Sequence, residues 1–170
     1  MAGNLSYRLF DFLGNKLMLQ FKIFKFSELT LEQLYILLKL RAEIFIVEQA
    51  CAFLDPDGKD FVALHLIGTE QNNIIAYLRI FPPTEIQTHI TFGRVLTATS
   101  ARGKNYGKKL ITELLNFCEK NFPQTSIQCS AQLYLKKFYE SFGFRMVGKE
   151  YLEDNMPHIE MHLSKSRSHS

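Results

Sequence analysis

The chain has 170 residues, of which 46% are hydrophobic and 22% charged, and this is typical of one soluble globular domain. A net charge of +3 is too small to indicate nucleic-acid binding unless the basic residues are concentrated on one surface. The three cysteines, Cys51, Cys118 and Cys129, form no C-x-x-C pair. This argues against a disulfide framework or a zinc ribbon and favours a reducing cytoplasm. No apolar run reaches the length of a membrane span, and the first residues lack a signal-peptide pattern.

Strands and helices are predicted in a mixed order along the chain. Alternating apolar and polar residues, bounded by turn residues, predict strands over 18–26, 61–68, 74–81, 89–97, 125–131, 144–152 and 158–164. The first helix begins after Thr30, which forms a capping-box signal with Gln33. Helical spacing predicts two more helices, from Tyr106 to near Asn121 and over residues 133–142. The order β-α-β-β-β-α-β-α-β-β indicates an α+β fold with one strand–loop–helix–strand crossover.

The same pattern predicts how the chain is organised. Residues 1–17 are irregular in pattern and are interpreted as an N-terminal extension. Residues 18–164 are interpreted as one domain, and residues 165–170 as a disordered tail. No internal repeat is found in the sequence.

A glycine-containing basic loop lies between the fourth predicted strand and the second helix. The stretch "ARGKNYGKKL" (101–110) holds two glycines and several of the chain's 20 Lys and Arg residues. The first turn of a helix has unpaired N–H groups and a positive dipole end, and Asn105 suits a left-handed turn. The stretch therefore predicts an anion site, although a solvated helix start with surface lysines fits the loop equally well.

Two common nucleotide-binding loops are excluded by their spacing. A Walker phosphate loop needs four residues between its glycines, whereas Gly103 and Gly107 are closer together, and Lys109 stands where Ser or Thr should bind magnesium. A G-x-G-x-x-G dinucleotide loop is also absent. The predicted anion is therefore not expected to be ATP or NAD.

The run "GRVLTATSARGKNYGKKLI" resembles the acyl-CoA pyrophosphate loop of the GNAT N-acetyltransferase superfamily, whose motif reads R/Q-x-x-G-x-G/A. Arg102 and Gly107 match the ends of this motif, and Asn105 replaces its first glycine. The segment "FYESFGF" (138–144) resembles the second signature of the family, in which Tyr139 precedes a Gly-Phe pair. The runs "QLYILLKLRAEIFIVEQ" and "PHIEM" narrow the resemblance to the ElaA type of GNAT protein, over nearly the whole predicted domain.

The resemblance implies a mixed, mostly antiparallel sheet of six to seven strands flanked by helices, with a central β-α-β acyl-CoA site. Acetyl-CoA is implied as the co-substrate, in a V-shaped opening between the fourth and fifth predicted strands, with no metal. The position of the family's usual CoA-contacting asparagine holds Gln132. The residues implied in acetyl-CoA binding are Leu96, Thr97, Arg102, Gly103, Lys104, Asn105, Tyr106, Gly107, Lys108 and Gln132.

The reaction implied by the resemblance is attack of a neutral amine on a thioester. An alkylamine is mostly protonated at pH 7, so a base must take a proton, and the leaving thiolate (thiol pKa roughly 8.5) gains by receiving one. Tyr139 is the predicted proton donor by family position, with a core aromatic contact as the alternative interpretation. Glu48, a carboxylate within an otherwise apolar run, is the predicted base, and Glu43 and His65 are its competitors.

The acceptor is expected to be a small-molecule or peptide amine, with protein lysines, N-termini, polyamines and drugs all left open. His65 and His158 are predicted to bind it, the latter because it follows Pro157 at the start of the last strand. An acidic loop with Asp55, Asp57 and Asp60 could attract a cationic amine, though turns favour aspartate in any case. Neither nucleic acid nor a membrane is expected as a partner, and the chain is expected to be a monomer or a homodimer.

Three alternatives compete with these interpretations. His158, Glu160 and His162 alternate along one strand, which is conceivable metal-site geometry but more often the polar face of a strand. A non-catalytic acyl-CoA-binding module would keep the loop and lose the proton donor. A small nucleic-acid-binding domain would use the basic loop and the basic tail, but the sequence contains no known nucleic-acid-recognition motif.

Overall fold

Seven strands form one mixed sheet in the order β1-β2-β3-β4-β5-β7-β6. The computed structural model describes residues 19–164, so the predicted N-terminal extension and tail lie outside the described residues. Neighbouring strands are antiparallel except β4 and β5, which are parallel. The predicted element order and sheet type are confirmed. The strands are β1 (Gln20–Lys25), β2 (Leu64–Glu70), β3 (Asn73–Phe81), β4 (Ile90–Thr97), β5 (Ile127–Gln132), β6 (Arg145–Glu153) and β7 (Met156–Leu163).

The helices in the described part of the chain are α1 (Leu31–Arg41), α2 (Tyr106–Asn121) and α3 (Lys136–Glu140). The predicted capping box of α1 is formed, because Gln33 N donates to Thr30 Oγ1 at 3.1 Å and Thr30 N donates to Gln33 Oε1 at 3.0 Å. Helix α3 is shorter than predicted because a 3₁₀ turn precedes it. Within residues 19–164, no helix has the length and apolarity needed to span a bilayer.

Helix α1 continues as a π-helical segment over Ala42–Glu48. Gln49 N donates to Ile44 O at 3.3 Å, a hydrogen bond that spans five residues. Apolar residues continue at helical spacing in this stretch of the sequence. Such spacing does not distinguish an α-helical turn from the wider π-helical turn, so the π-helix was not predicted. Phe45, within this segment, and Gln49, directly after it, line the main cavity.

Two tight turns set the register of the predicted hairpins. Gln71 and Asn72 join β2 to β3 with φ of 54° and 62°, and Asp154 and Asn155 join β6 to β7 with φ of 49° and 62°. Positive φ at both central residues is the type I′ geometry, whose twist matches that of the flanking strands. Both hairpins are therefore confirmed, and the second brings the β6–β7 turn beside the cavity.

The sheet lies between two helical layers. Leu66 and Leu78 pack in one core cluster with residues of α2 and α3. Their neighbours in sequence, Ile67 and Tyr77, pack in a second cluster with residues of α1 and the π-helical segment. Because both faces are covered, β2 and β3 are apolar along most of their length.

A buried network of arginines and aspartates fastens the loop before β2 to the sheet. Arg41, which is 1% exposed, donates from Nε to Asp55 Oδ2 at 2.8 Å and from Nη1 to Asp60 Oδ1 at 2.7 Å. Arg79 donates to both carboxylate oxygens of Asp57 at 2.7 and 2.8 Å and to Asp60 at 3.1 Å. The Arg79 guanidinium holds the pKa of Asp57 well below its ordinary value. Mutual pairing thus offsets the desolvation of these charges.

His65 lies beneath this network and is 1% exposed. Its Nε2 donates to Asp60 O at 3.0 Å, so its Nδ1 accepts a hydrogen bond from the Tyr77 hydroxyl at 2.8 Å. Burial lowers the pKa of His65 and raises the pKa of Tyr77. The neutral imidazole therefore links β2, β3 and the loop that carries Asp60.

We expect Arg41→Met to lower the free energy of unfolding by about 3–5 kcal/mol, because it takes one of two arginine partners from each of the buried carboxylates Asp55 and Asp60. Urea unfolding followed by circular dichroism at pH 7 measures this loss. The matched control is Lys39→Met, which removes an exposed partner of Glu43 from the same helix and should change the free energy by less than about 1 kcal/mol. A loss for Arg41→Met as small as that of the control would contradict the supporting role of the network.

Stability should also fall as the pH drops below about 6.5, because the unfolded chain protonates His65 while the folded chain resists it. The folded pKa is the lower one, so this contribution is present above the unfolded pKa and is lost as the pH falls towards the folded pKa. Urea unfolding between about pH 7.5 and about pH 5 gives the slope of the free energy of unfolding against pH. His65→Gln should have a shallower slope than wild type, whereas His162→Gln, on a half-buried strand position, should keep it. An unchanged slope in His65→Gln would show that another group titrates.

Candidate active site

The parallel pair β4 and β5 opens towards its carboxyl ends. Its pairing is limited to Ile90 with Ile127 and Thr91 with Gln128. Beyond these residues β4 stays paired with β3, and β5 stays paired with β7, so the two strands diverge. The gap between them has the V shape that the resemblance implies.

A cavity of about 340 Å³ occupies this gap. One wall is β4 with Gly93, Arg94 and Val95, and the other is β5 over residues 129–132. The rest of the lining comes from β3, the π-helical segment, the loop before β2, α3 and the β6–β7 turn, including Tyr139. Elements that are distant in sequence therefore meet in one concave site, as is typical of ligand sites.

The β4 wall carries a bulge. The residue pairing of β4 with β3 shifts by one position in this stretch, and Arg94 has a φ of 52°. This conformation is uncommon for a residue other than glycine, and bulges often re-aim side chains next to active sites. Arg94 Nε donates to Asp55 Oδ1 at 2.7 Å, and its guanidinium lies over the rings of Phe45 and Phe53. The bulge thus joins the cavity wall to the buried network.

Tyr139 of α3 lines the cavity and is 4% exposed. Its ring packs against Phe92, Phe138 and Phe144, with centroids 5.9, 5.2 and 5.9 Å away. Burial raises the pKa of Tyr139 well above its ordinary value, so the hydroxyl stays protonated at neutral pH. The two interpretations of Tyr139 therefore both describe its position: the ring belongs to the aromatic core, and the residue borders the cavity as a protonated phenol.

The basic loop ends at the N-terminus of α2 in a tight turn. Gly103 has a φ of 79°, and Asn105 has a φ of 60°, the left-handed conformation predicted for it. Asn105 immediately precedes the 16-residue helix α2, whose first turn has N–H groups without helical partners. These groups and the helix dipole make the start of α2 attractive to an anion.

Gly107 is not required by packing within the protein. A Cβ atom at this position would lie 3.8 Å from Thr97 Oγ1 and 3.9 Å from Phe138 Cζ, which is ordinary van der Waals contact. Its backbone is helical, so no conformation demands glycine here. A glycine at this position therefore leaves the gap between Thr97, Phe138 and the first turn of α2 unfilled.

The side chains of the loop are tied to carboxylates on other elements. Arg102 Nη2 donates to Glu48 Oε2 at 2.9 Å, Lys104 Nζ donates to Glu70 Oε2 at 2.9 Å, and the Tyr106 hydroxyl donates to Glu70 Oε1. Glu48 is therefore an exposed partner of the loop and does not line the cavity. The expectation of a base enclosed in an apolar run is wrong for Glu48, because the π-helical segment directs it towards Arg102 at the surface.

The predicted acyl-CoA contacts outside the loop lie along the opening. Leu96 is buried and Thr97 is half-buried on the part of β4 that has no partner in β5, so the backbone edge that faces the gap lacks a neighbouring strand. Gln132 lines the cavity, and its Nε2 donates to Gln49 Oε1 at 3.0 Å. The contacts of these residues with an acyl-CoA stay a prediction.

The structure separates the two histidines that were predicted to bind the acceptor. His158 lines the cavity, its Nδ1 donates to Met156 O at 2.8 Å, and its ring stacks on that of Tyr151. His65 does not line the cavity, because it is buried beneath the arginine–aspartate network with both ring nitrogens occupied. We therefore correct its predicted role from substrate contact, or base, to structural support. The other competing base, Glu43, is exposed and paired with Lys39.

The acidic loop is not free to attract a cationic amine. Asp55 and Asp60 are buried against arginines, and Asp57, which lines the cavity, is bound by both terminal nitrogens of Arg79. Sequence reasoning missed Arg79 and Arg94 as cavity residues. The available signal was an arginine in an apolar strand, because such a residue needs carboxylate partners elsewhere in the chain. Arg79 Nε is buried without a hydrogen-bond partner among the described residues.

Sequence reasoning also missed a chain of hydrogen bonds on the β5 side of the cavity. The Tyr151 hydroxyl donates to Ser130 Oγ at 2.6 Å, and Ser130 Oγ donates to Glu153 Oε2 at 2.7 Å. Ser130 and Glu153 both line the cavity. No local motif marks these hydrogen bonds in the sequence, because Ser130 lies on β5 whereas Tyr151 and Glu153 lie on β6, on the other side of β7 in the sheet.

The alternating residues of β7 do not form a metal site. His162 Nε2 and Glu160 Oε2 lie 3.0 Å apart, whereas His158 borders the cavity. Over residues 19–164, no group of three or more His, Cys, Asp or Glu side chains has a metal-binding arrangement. The interpretation as the polar face of a strand fits these positions.

Comparisons with known proteins agree with this geometry. A family profile described as an acetyltransferase (GNAT) domain matches residues 60–165. Protein ElaA from Escherichia coli is 36% identical over 146 residues, which cover 85% of this chain and 95% of that protein. The crystal structure of Escherichia coli ElaA superposes with a TM-score of 0.78 at 36% identity, covering 85% of this chain and 99% of that one. The crystal structure of an acyl-CoA N-acyltransferase from Pseudomonas aeruginosa gives a TM-score of 0.80 at 37% identity, with the same coverage of 85% and 99%.

The profile match spans strands β2 to β7, the basic loop, and helices α2 and α3. The resemblance drawn from the sequence motifs, including that to ElaA, is confirmed by the family match and by both structural superpositions. The chain belongs to the GNAT acetyltransferase family, and it is an acyltransferase.

Proposed function

We propose that the protein transfers an acetyl group from acetyl-CoA to a primary amine by direct attack of the amine on the thioester. The observation that carries this proposal is the divergence of β4 and β5 around a cavity that Tyr139 borders. An anion-binding loop at the N-terminus of α2 lies beside the same opening. The site thus offers a place for the phosphates, a gap for the thioester and a proton donor.

Acetyl-CoA is proposed to bind along β4 and the start of α2. The N–H groups of the first turn of α2 hold the pyrophosphate, and Gly107 keeps them accessible. The open backbone edge near Leu96 and Thr97 binds the pantetheine arm. A cavity of about 340 Å³ must hold both the acyl group and the end of the acceptor, which favours a short acyl chain such as acetyl.

Tyr139 is proposed to protonate the leaving thiolate. Burial raises the pKa of Tyr139, which makes an isolated phenol a weaker acid. The thiolate leaves into the same desolvated surroundings, which raise its proton affinity as well, so the two effects of burial partly cancel. His158 is proposed to contact the acceptor, which is a small-molecule or peptide amine.

We expect Gly107→Val to weaken CoA binding by at least about tenfold. The branched side chain fills the gap between Thr97 and Phe138 and obstructs the first turn of α2, while the fold itself has room for a Cβ. Isothermal titration calorimetry with CoA gives the dissociation constant. Thr112→Val places the same residue on an exposed position of α2 and should leave the constant unchanged. Unchanged affinity in Gly107→Val would remove this loop from the proposed site.

We expect Tyr139→Phe to lower kcat by about 10²–10⁴-fold, because it removes the O–H and keeps the ring packed in the core. Single-turnover acetylation of an amine from a panel of primary amines, followed by mass spectrometry, isolates the chemical step. Tyr134→Phe, at an exposed tyrosine just before α3, is the matched control and should retain full activity.

The affinity of Tyr139→Phe for CoA should stay within about twofold of wild type if the hydroxyl acts only in the chemical step. A variant that keeps full kcat would leave Tyr139 as a core residue. Loss of CoA binding together with activity would assign it to positioning instead of proton transfer.

A further inference from the structure

We infer that Ser130 and Glu153 form a proton relay that deprotonates the amine acceptor. This inference rests on the proposed acetyl transfer and names the base that Glu48, Glu43 and His65 do not supply. The relay consists of the Ser130 hydroxyl, which meets the acceptor nitrogen, and the Glu153 carboxylate behind it. Both side chains border the cavity, and they are hydrogen-bonded to each other at 2.7 Å.

The relay and Tyr139 lie on opposite faces of the sheet. Cys129 and Ala131 of β5 pack in the same core cluster as Tyr139, on the face covered by α2 and α3. Successive side chains of a strand point to opposite faces, so Ser130, which lies between them, points away from that face. The attacking amine and the leaving thiolate occupy different positions around the reacting carbon, so separate groups can serve as proton acceptor and proton donor. The alternation along β5 supplies this separation across the gap.

The hydrogen bonds of Ser130 leave one position for a substrate. A serine hydroxyl has one proton to donate and two lone pairs that accept. Its proton is donated to Glu153 Oε2, and one lone pair accepts from the Tyr151 hydroxyl at 2.6 Å. The remaining lone pair is free to accept an N–H from the acceptor, and the two bonds already made hold the hydroxyl in a fixed orientation.

The charges of the cavity favour a cationic acceptor at this end. Arg79 and Arg94 are matched by aspartates of the buried network, and Lys59, which also lines the cavity, lies two residues after Asp57 in the loop before β2. Glu153, by contrast, forms no salt bridge within residues 19–164, and neither does Asp154 beside it. A primary ammonium is therefore the group that complements the β6–β7 side of the cavity.

Each proton that the acceptor nitrogen loses has an acceptor in the site. The ammonium gives one proton to Ser130 Oγ as the Ser130 proton moves to Glu153, and the neutral amine forms the N–C bond at the thioester carbonyl carbon. The C–S bond breaks, and the thiolate takes the proton of Tyr139. The second proton lost by the nitrogen restores the Tyr139 hydroxyl, and Glu153 releases its proton to water. One acetamide, one CoA thiol and one solvent proton result.

The test compares Glu153→Gln and Ser130→Ala with wild type on one primary alkylamine. Both variants should lower kcat/KM by about 10²-fold or more at pH 7, while CoA affinity measured by calorimetry stays unchanged. Glu150→Gln makes the same substitution on β6 outside the cavity lining and should have full activity. Ser130→Thr keeps the hydroxyl on a strand position and should retain most of it.

The pH dependence separates a relay from a structural role. An alkylammonium has a pKa of about 10.4, so its neutral fraction in solution rises about tenfold per pH unit between pH 7 and pH 9. Variants without the relay react only with this neutral fraction. The ratio of wild-type to variant kcat/KM should therefore fall by about tenfold per pH unit. A ratio of wild-type to variant kcat/KM that stays constant with pH, or full activity in both variants, would overturn the relay. Neither result would contradict the proposed acetyl transfer. A wild type that binds CoA but acetylates no amine of the panel would overturn the proposed function and the relay together.

Discussion

The site depends on the early end of the pairing between β4 and β5. Two residue pairs hold the strands together, and beyond them each strand is held only by its outer neighbour. Backbone groups along the gap then lack the partners that a continuous sheet would give them, and buried backbone groups need partners. The gap is thus a ready-made binding site for an extended ligand with its own polar groups. Two parallel strands need a crossover connection, and helix α2, which supplies it, begins at the same edge of the sheet. The positive end of its dipole therefore lies beside the gap.

The buried arginine–aspartate network gives the gap one rigid wall. It joins α1, the loop before β2, β3 and the β4 bulge through charge-assisted hydrogen bonds that are mutually neutralised. Such a network contributes geometric definition more than net stability, because the desolvation of the charges offsets much of their attraction. The opposite wall is held differently, by short antiparallel strands and a type I′ turn.

Much of the fold could be predicted because its signals are local. The capping box at Thr30, the turn residues of both hairpins and the motifs around Arg102 and Tyr139 are read within a few residues. The cavity wall could not be predicted in this way. Its bulge, the π-helical segment and the Ser130–Glu153 pair arise from contacts between distant segments. The exposure of Glu48 was missed for the same reason, since an apolar run shows that a segment is partly buried but not which of its side chains turn outwards.

The ion pairs of the basic loop have a consequence for selectivity among anions. Arg102 and Lys104 already have carboxylate partners, Glu48 and Glu70, on other elements. Under the proposed function, a phosphate that approaches Arg102 or Lys104 must therefore share or replace a carboxylate partner, whereas Lys108 and Lys109 form no salt bridge within residues 19–164. A lone inorganic ion gains little from such an exchange, whereas a ligand held at several points along the gap compensates for it. Under the proposed function, pairing two of the four cations of the loop in this way favours a large polyvalent anion over small simple ones.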